Sequence, residues 1–236
     1  MDSNGLDIIF FDAGETLVHP MPSFPELFSS CCADFGLEVD LALLSDTGRS
    51  LMDEVEEKQR QGYTFTNDGE ASRRFWLDFY HHLVKAMGYG DGDDLPRRLY
   101  EIFSRRENYG PYDDAMTTLA ELRDRGIRLG LISNFEAWLE DLLDDLGLGE
   151  YLEVMVISGN EDFEKPHPAI YALALERAGL EAHRALHVGD SPVSDFSGAV
   201  GAGMQAVLLD RWGRFPDFQG ERIGALAEIS SLLALK

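Results

Sequence analysis

The chain has 236 residues, 44% of them hydrophobic, with 43 acidic against 20 basic side chains and a formal net charge of −23. This length fits one large domain or a core domain carrying an insertion. So acidic a surface repels a nucleic-acid backbone and an anionic membrane, so neither is expected as a partner.

The same charge sets a condition on any phosphorylated substrate. It must enter against the field, so its site needs a metal or local positive charge. No apolar run reaches membrane-spanning length. The N-terminal MDSNGLD lacks the basic-then-apolar order of a secretory signal. Cys31 and Cys32 are neighbours and read as thiols on a helix, which suits a cytoplasmic protein.

In chain order, LDIIFF (6–11) is a short apolar run ending at Asp12, as expected of a buried strand. From 22 to 108 the pattern is helical throughout. PELFSSCCADFG, LALLSDTGRSLMDEVEEKQRQ, SRRFWLDFYHHLVKAMG and LPRRLYEIFSRRE each carry helical apolar spacing, divided by Gly, Pro or Asp clusters. From Pro111 helices alternate with β-rich runs. AMTTLAELRDRG leads to IRLGLIS, EAWLEDLLDDLG to EVMVIS, PAIYALALERAG to RALHVGD, and VSDFSGAVGAG to MQAVLLD. Such alternation predicts βα units and a parallel sheet. Residues 1–18 and 109–236 are therefore expected to form one α/β core, and residues 19–108 an all-helical insertion.

In sheets of this kind ligands bind beyond the carboxyl ends of the strands. Four pieces fall there: Asp12 in FFDAGETL, Ser133 in LISNF, Lys165 in FEKPHP, and Asp190 with Asp195 in HVGDSPVSD. Singly each is weak, because Asp and Ser-Asn are common turn and helix-start residues. Together they fit one chemistry. A carboxylate can attack phosphorus, giving an aspartyl-phosphate. Two carboxylates and a phosphate dianion need a cation between them, and Mg²⁺ takes one or two carboxylates plus a substrate phosphate. Asp12 and Asp190 supply the carboxylates. Lys165, the Ser133 hydroxyl and backbone N–H groups near Asn134 would hold the phosphoryl oxygens.

In DAGET, ISN, EKP and GDSPVSD, in that order, the chain resembles the haloacid dehalogenase-like (HAD) hydrolase superfamily, over essentially its whole length. The resemblance implies a Rossmann-like parallel-sheet core with an all-helical cap domain inserted after the first strand, a C1-type insertion. It implies Asp12 as nucleophile, Thr16 and Ser133 at the phosphate site, Lys165 as stabiliser, and a Mg²⁺ site of Asp12, the Gly14 carbonyl, Asp190 and Asp195. Asp195 would hold a metal-bound water or orient Lys165.

Gly14 departs from the pattern, because phosphatases of this family carry an aspartate there as proton donor and base. Glycine keeps the carbonyl and loses the acid. General acid–base catalysis contributes about 10²–10⁴-fold, so a slow phosphatase is expected rather than a fast one. Glu15, where the family has glycine, is the candidate stand-in, against the plainer reading of a solvated carboxylate.

The function expected is a Mg²⁺-dependent phosphatase of a small phosphorylated metabolite, monomeric or homodimeric. The alternatives are a C–halogen or C–P bond hydrolase, for which the missing acid matters less, and a weakly active binding or regulatory protein on the same fold. Arg73 and Arg74 on an insertion helix are candidates for a second anionic group of the substrate. His187 reads as packed on its strand.

Overall fold

The computed structural model describes residues 5–234. Strand β1 (Ile8–Phe11) is four apolar residues, all buried, as expected of a central parallel strand covered on both faces. Strands β2 (Val18–Pro20) and β3 (Tyr109–Pro111) pair as a separate two-stranded sheet.

Between them in sequence lie four helices, α1 (Phe24–Asp34), α2 (Leu41–Arg60), α3 (Gly69–Ala86) and α4 (Asp94–Phe103). Three of their starts are chemically marked. Ser23 accepts the N–H of Glu26, Asp40 those of Ala42 and Leu43, and Asp68 that of Ala71. These are N-caps that satisfy donors the helix cannot. The four helices close around Phe28, Phe79, Tyr80, Leu83, Leu99 and Phe103. Cys31 and Cys32 are buried there as free thiols, and burial pushes them up to about 11 and about 12.

The chain continues through α5 (Ala115–Asp124), β4 (Arg128–Ser133), α6 (Leu139–Asp145), β5 (Val154–Ile157), α7 (Pro168–Ala178) and β6 (Ala185–Gly189). It ends with α8 (Gly198–Gly201), β7 (Gln205–Leu209), β8 (Arg222–Ile223) and α9 (Glu228–Ala234). The six-stranded sheet has the order β5-β4-β1-β6-β7-β8, with every neighbouring pair parallel. The α/β class and parallel sheet are those the sequence pattern predicts. Strands β2, β3 and β8 and helix α9 have no counterpart in that reading.

One predicted helix is different in kind. The segment read as VSDFSGAVGAG begins as a π-helical turn (Pro192–Ser197), and only four α-helical residues follow. Ser191 Oγ caps the turn by accepting from Val193 and Ser194 N–H. The wide turn carries the Asp195 carboxylate inward over Gly189, where a Cβ would collide with it.

The chain divides into two compact units, Met1–Val18 with Pro111–Lys236, and His19–Gly110. In the first unit, β1 lies between β4 and β6, with Phe11 beside Leu131 on one side and Val188 on the other. The chain reverses its direction of travel across the sheet at β1, which opens a crevice at the carboxyl ends of these strands.

Candidate active site

Asp12 follows β1 and still belongs to the ladder, its N–H donating to Val188 O at 2.9 Å. Its Oδ1 accepts from Ser133 Oγ at 3.0 Å and from Lys165 Nζ at 2.7 Å. Lys165 is 1% exposed, so its charge is compensated inside the protein. The second compensation is Asp195, whose Oδ1 accepts from the same Nζ at 2.5 Å. Asp195 Oδ1 also lies 3.0 Å from His187 Nε2, and Oδ2 accepts from Ser191 N–H at 2.8 Å. The Asn134 side chain holds the Lys165 peptide from both ends, accepting its N–H at 2.6 Å and donating to its carbonyl at 2.7 Å. The ammonium is thus aimed by backbone as well as by carboxylates.

Carboxylate oxygens of Asp12, Asp190 and Asp195 all lie within 4.8 Å of one another. Burial pushes Asp12 up, with Lys165 pulling against it. Asp195 is held well below the usual carboxylate range because Lys165 and His187 outweigh its burial. Enclosure, then the charges of Asp195 and Asp12, push Asp190 up to about 8. Lys165 is held above its usual value, its burial outweighed by Asp12 and Asp195. Burial lowers His187, with Asp195 pulling against it.

This donor set fits a hard divalent cation. Three carboxylates share one small volume with Lys165, and with Arg214 on Asp190, which leaves a net negative charge, and oxygen ligands of that kind suit Mg²⁺. The site also fits a phosphoryl group. Thr16 is fully buried, and its Oγ1 has no hydrogen-bond partner in the protein. A buried orphan hydroxyl, in the loop four residues beyond Asp12, is costly unless a ligand completes it.

Gly14 closes the loop after β1, and a Cβ there would meet only Phe135 Cε2, at 3.9 Å. Room for a side chain therefore exists. Glu15 is the one non-glycine residue among those described with a left-handed backbone, at φ 54°. Its carboxylate is turned to Tyr112, whose hydroxyl donates to Glu15 Oε2 at 2.7 Å.

Four residues around this loop escaped the sequence reading: Tyr112, Asp114, Arg211 and Arg214. Arg211 forks onto both oxygens of Asp114 at 2.9 and 3.1 Å, donates to the Thr16 carbonyl at 2.9 Å, and lies 4.0 Å over the Tyr112 ring. Arg214 donates to Asp190 Oδ2 at 2.8 Å. It is delivered by Asp210, which accepts the N–H groups of Arg214 and Phe215. The available signal was RWGRF just beyond a strand end, two arginines in a chain short of cations. In the helical unit, Arg73 lies 5.8 Å over Tyr100. Arg74 lines a cleft of about 680 Å³ with Lys58, Phe75 and Phe79.

A family model for haloacid dehalogenase-like hydrolases matches residues 6–203. The chain belongs to this family. Among relatives of this HAD-like hydrolase, the human haloacid dehalogenase-like hydrolase domain-containing protein 3 is 31% identical over 209 residues, 86% of this chain and 81% of that one. A phosphoserine phosphatase of Thermus thermophilus is 36% identical over 173 residues, 70% of each chain. Among solved structures, the HAD-hydrolase YfnB of Bacillus subtilis bound to magnesium aligns over 97% of this chain and 98% of its own, with TM-score 0.75 at 18% identity. That likeness supports the fold.

Proposed function

We propose that the protein is a Mg²⁺-dependent phosphatase of a small phosphorylated metabolite, working through a phosphorylated Asp12. The observation that carries the reading is the cluster of Asp12, Asp190 and Asp195 around one buried lysine, with an orphan threonine hydroxyl in the loop beyond Asp12. The phosphatase names among the relatives support it.

Mg²⁺, held by Asp12, Asp190 and the Gly14 carbonyl, would neutralise charge between the carboxylates and the phosphate. The chain's own residues do the rest. An Asp12 oxygen attacks phosphorus as the ester oxygen leaves. Lys165, Ser133 and Thr16 hold the phosphoryl oxygens, with the backbone near Asn134. Asp195 orients Lys165. Water then attacks the phosphorylated Asp12 and releases phosphate. The helical unit acts as the cap that selects the substrate.

Dehalogenation has one observation in its favour, the missing acid at Gly14, since a departing halide needs no proton. Against it, the three carboxylates Asp12, Asp190 and Asp195 exceed their partners Lys165 and Arg214 by one negative charge, which a metal-free site leaves unbalanced.

A panel of phosphate esters assayed with Mg²⁺ and with EDTA, beside 2-haloacids, tests the proposal. Phosphate release that EDTA abolishes is expected, and Asp12→Asn should remove it while leaving the unfolding transition in place, because an amide is a poor nucleophile. Turnover indifferent to EDTA, or confined to 2-haloacids, overturns the reading.

A further inference from the structure

We infer that Arg214 is a specificity-determining residue, whose guanidinium grips a carboxylate on the leaving group of the phosphorylated substrate. The inference rests on the phosphatase reading and deepens it by naming a substrate class, phosphate esters that carry a carboxylate.

Reach is the first observation. Arg214 Nη2 donates to Asp190 Oδ2 at 2.8 Å, and carboxylate oxygens of Asp190 and Asp12 lie within 4.8 Å of one another. The guanidinium therefore stands one carboxylate away from the nucleophile, within the span of a short leaving group held there. The sheet explains the approach. Gly189 pairs with Leu208, so the ends of β6 and β7 lie side by side and the segment after β7 passes Asp190.

The second observation is that this segment is fixed. Asp210, 4% exposed, accepts the Arg214 N–H at 2.7 Å on one oxygen, and the Phe215 N–H and Arg222 Nη1, each at 3.0 Å, on the other. Arg222 also donates to the Phe215 carbonyl at 2.6 Å. Gly213 makes the turn at φ 65°, a conformation that glycine adopts without strain. A guanidinium held in place before its ligand arrives loses little freedom on binding.

The third is availability. The side chain of Lys165 is 2% exposed and engaged by Asp12 and Asp195. That of Arg211 is 10% exposed and forked onto Asp114. The Arg214 side chain is 35% exposed and, among the described residues, makes one hydrogen bond, to Asp190. The rest of its five-donor fork is open to a ligand and matches a carboxylate in geometry. A second phosphate would bring a dianion to one guanidinium beside three carboxylates, whereas a carboxylate brings a single charge.

The test compares kcat/KM of the full chain with Mg²⁺ on 3-phosphoglycerate and on glycerol 3-phosphate. The two differ in a carboxylate against a hydroxymethyl group at the same distance from phosphorus. The wild type should favour the carboxylate by roughly tenfold or more, the size of a charge-assisted hydrogen bond. Arg214→Gln should bring the ratio close to one. Arg214→Lys should keep part of it, because it retains the charge without the fork. Any loss that acts through Asp190 falls on both esters alike and leaves the ratio. Arg128→Gln removes the same charge at the far end of β4 from Ser133 and should preserve the ratio. A wild-type ratio near one, a ratio that Arg214→Gln leaves unchanged, or one that Arg128→Gln lowers equally overturns the inference and leaves the phosphatase reading standing. Hydrolysis of p-nitrophenyl phosphate but of neither metabolite has the same consequence. If the wild type hydrolyses none of the three, both fall together.

Discussion

The two units of this protein solve burial differently. The sheet unit hides Asp12, Glu164, Lys165, Asp195 and Asp210, each 7% exposed or less, at the carboxyl ends of its strands. The buried polar residues of the helical unit are Gln59, Thr66 and Ser72, none of them charged. Its interior is aromatic instead, with Phe65, Phe75, Trp76, Phe79, Tyr80 and Phe103 packed ring to ring along one path. Buried charge is expensive and persists where it is paired and used. Aromatic packing is tolerant of sequence so long as volume is conserved. The contrast places the buried charge in the first unit and an apolar, aromatic interior in the second.

The largest stability effect should come from the helical interior. Phe28 is fully buried and stacks on Phe24 at 5.8 Å between centroids. Phe28→Ala removes a ring from a close-packed core and should destabilise this unit by about 3–5 kcal/mol. Native-state hydrogen exchange reads where the loss falls. Amides of α1 to α4 should lose protection while those of β1, β4 and β6 keep theirs. Equal loss in the sheet would mean that the two units open as one, and the comparison would fail.

A smaller effect is expected at the pair that braces the loop after β1. Despite partial burial, the Arg211 guanidinium holds Asp114 below the usual carboxylate range, and Asp114 also accepts the Leu226 N–H at 2.8 Å. Asp114→Asn should cost roughly 1.5–3 kcal/mol at neutral pH. The pH dependence has a definite sign. A carboxylate whose folded pKa is depressed contributes stability above its unfolded value, near ~4, and loses it as pH falls through the folded one. The gap between wild type and variant, measured by urea unfolding, should be full above about pH 5 and close as the solution is acidified below that. A gap independent of pH from about 3 to 7 would show that the pair is not what stabilises this corner.

How much of this was open to the sequence divides along the same line. Asp12, Ser133, Lys165 and Asp190 were legible because each follows an apolar strand or stands in a short motif, and parallel strands bring their ends together. The helices of the second unit were legible from their period and from the Gly, Pro and Asp clusters between them. The pairs Tyr112–Glu15 and Arg211–Asp114 were not, because each joins residues 97 apart in sequence, and no local signal marks a hydrogen bond across that span. The same holds for Arg214 and Asp190, 24 residues apart. The π-helical turn at Pro192–Ser197 was missed for another reason. Its composition is helical, and the widened turn, which carries Asp195 Oδ1 onto Lys165 Nζ, leaves no mark on the apolar spacing.

The smallest effect bears on whether function or folding keeps Glu15 in place. Glu15→Ala and Glu15→Gly both remove the carboxylate and its bond to Tyr112, so they share that loss. They differ in backbone alone. Alanine retains a Cβ at φ 54° and with it the left-handed penalty, whereas glycine is relieved of it. Glycine's greater freedom in the unfolded chain takes back part of that advantage. The net expectation is that the glycine variant is the more stable of the two by about 0.5–1 kcal/mol. Paired urea titrations at one pH read a difference of this size. If alanine matched or exceeded glycine, the left-handed conformation at this position would carry no strain. If glycine proved as stable as the wild type yet released phosphate far more slowly, the residue would be one that folding disfavours and the reaction requires.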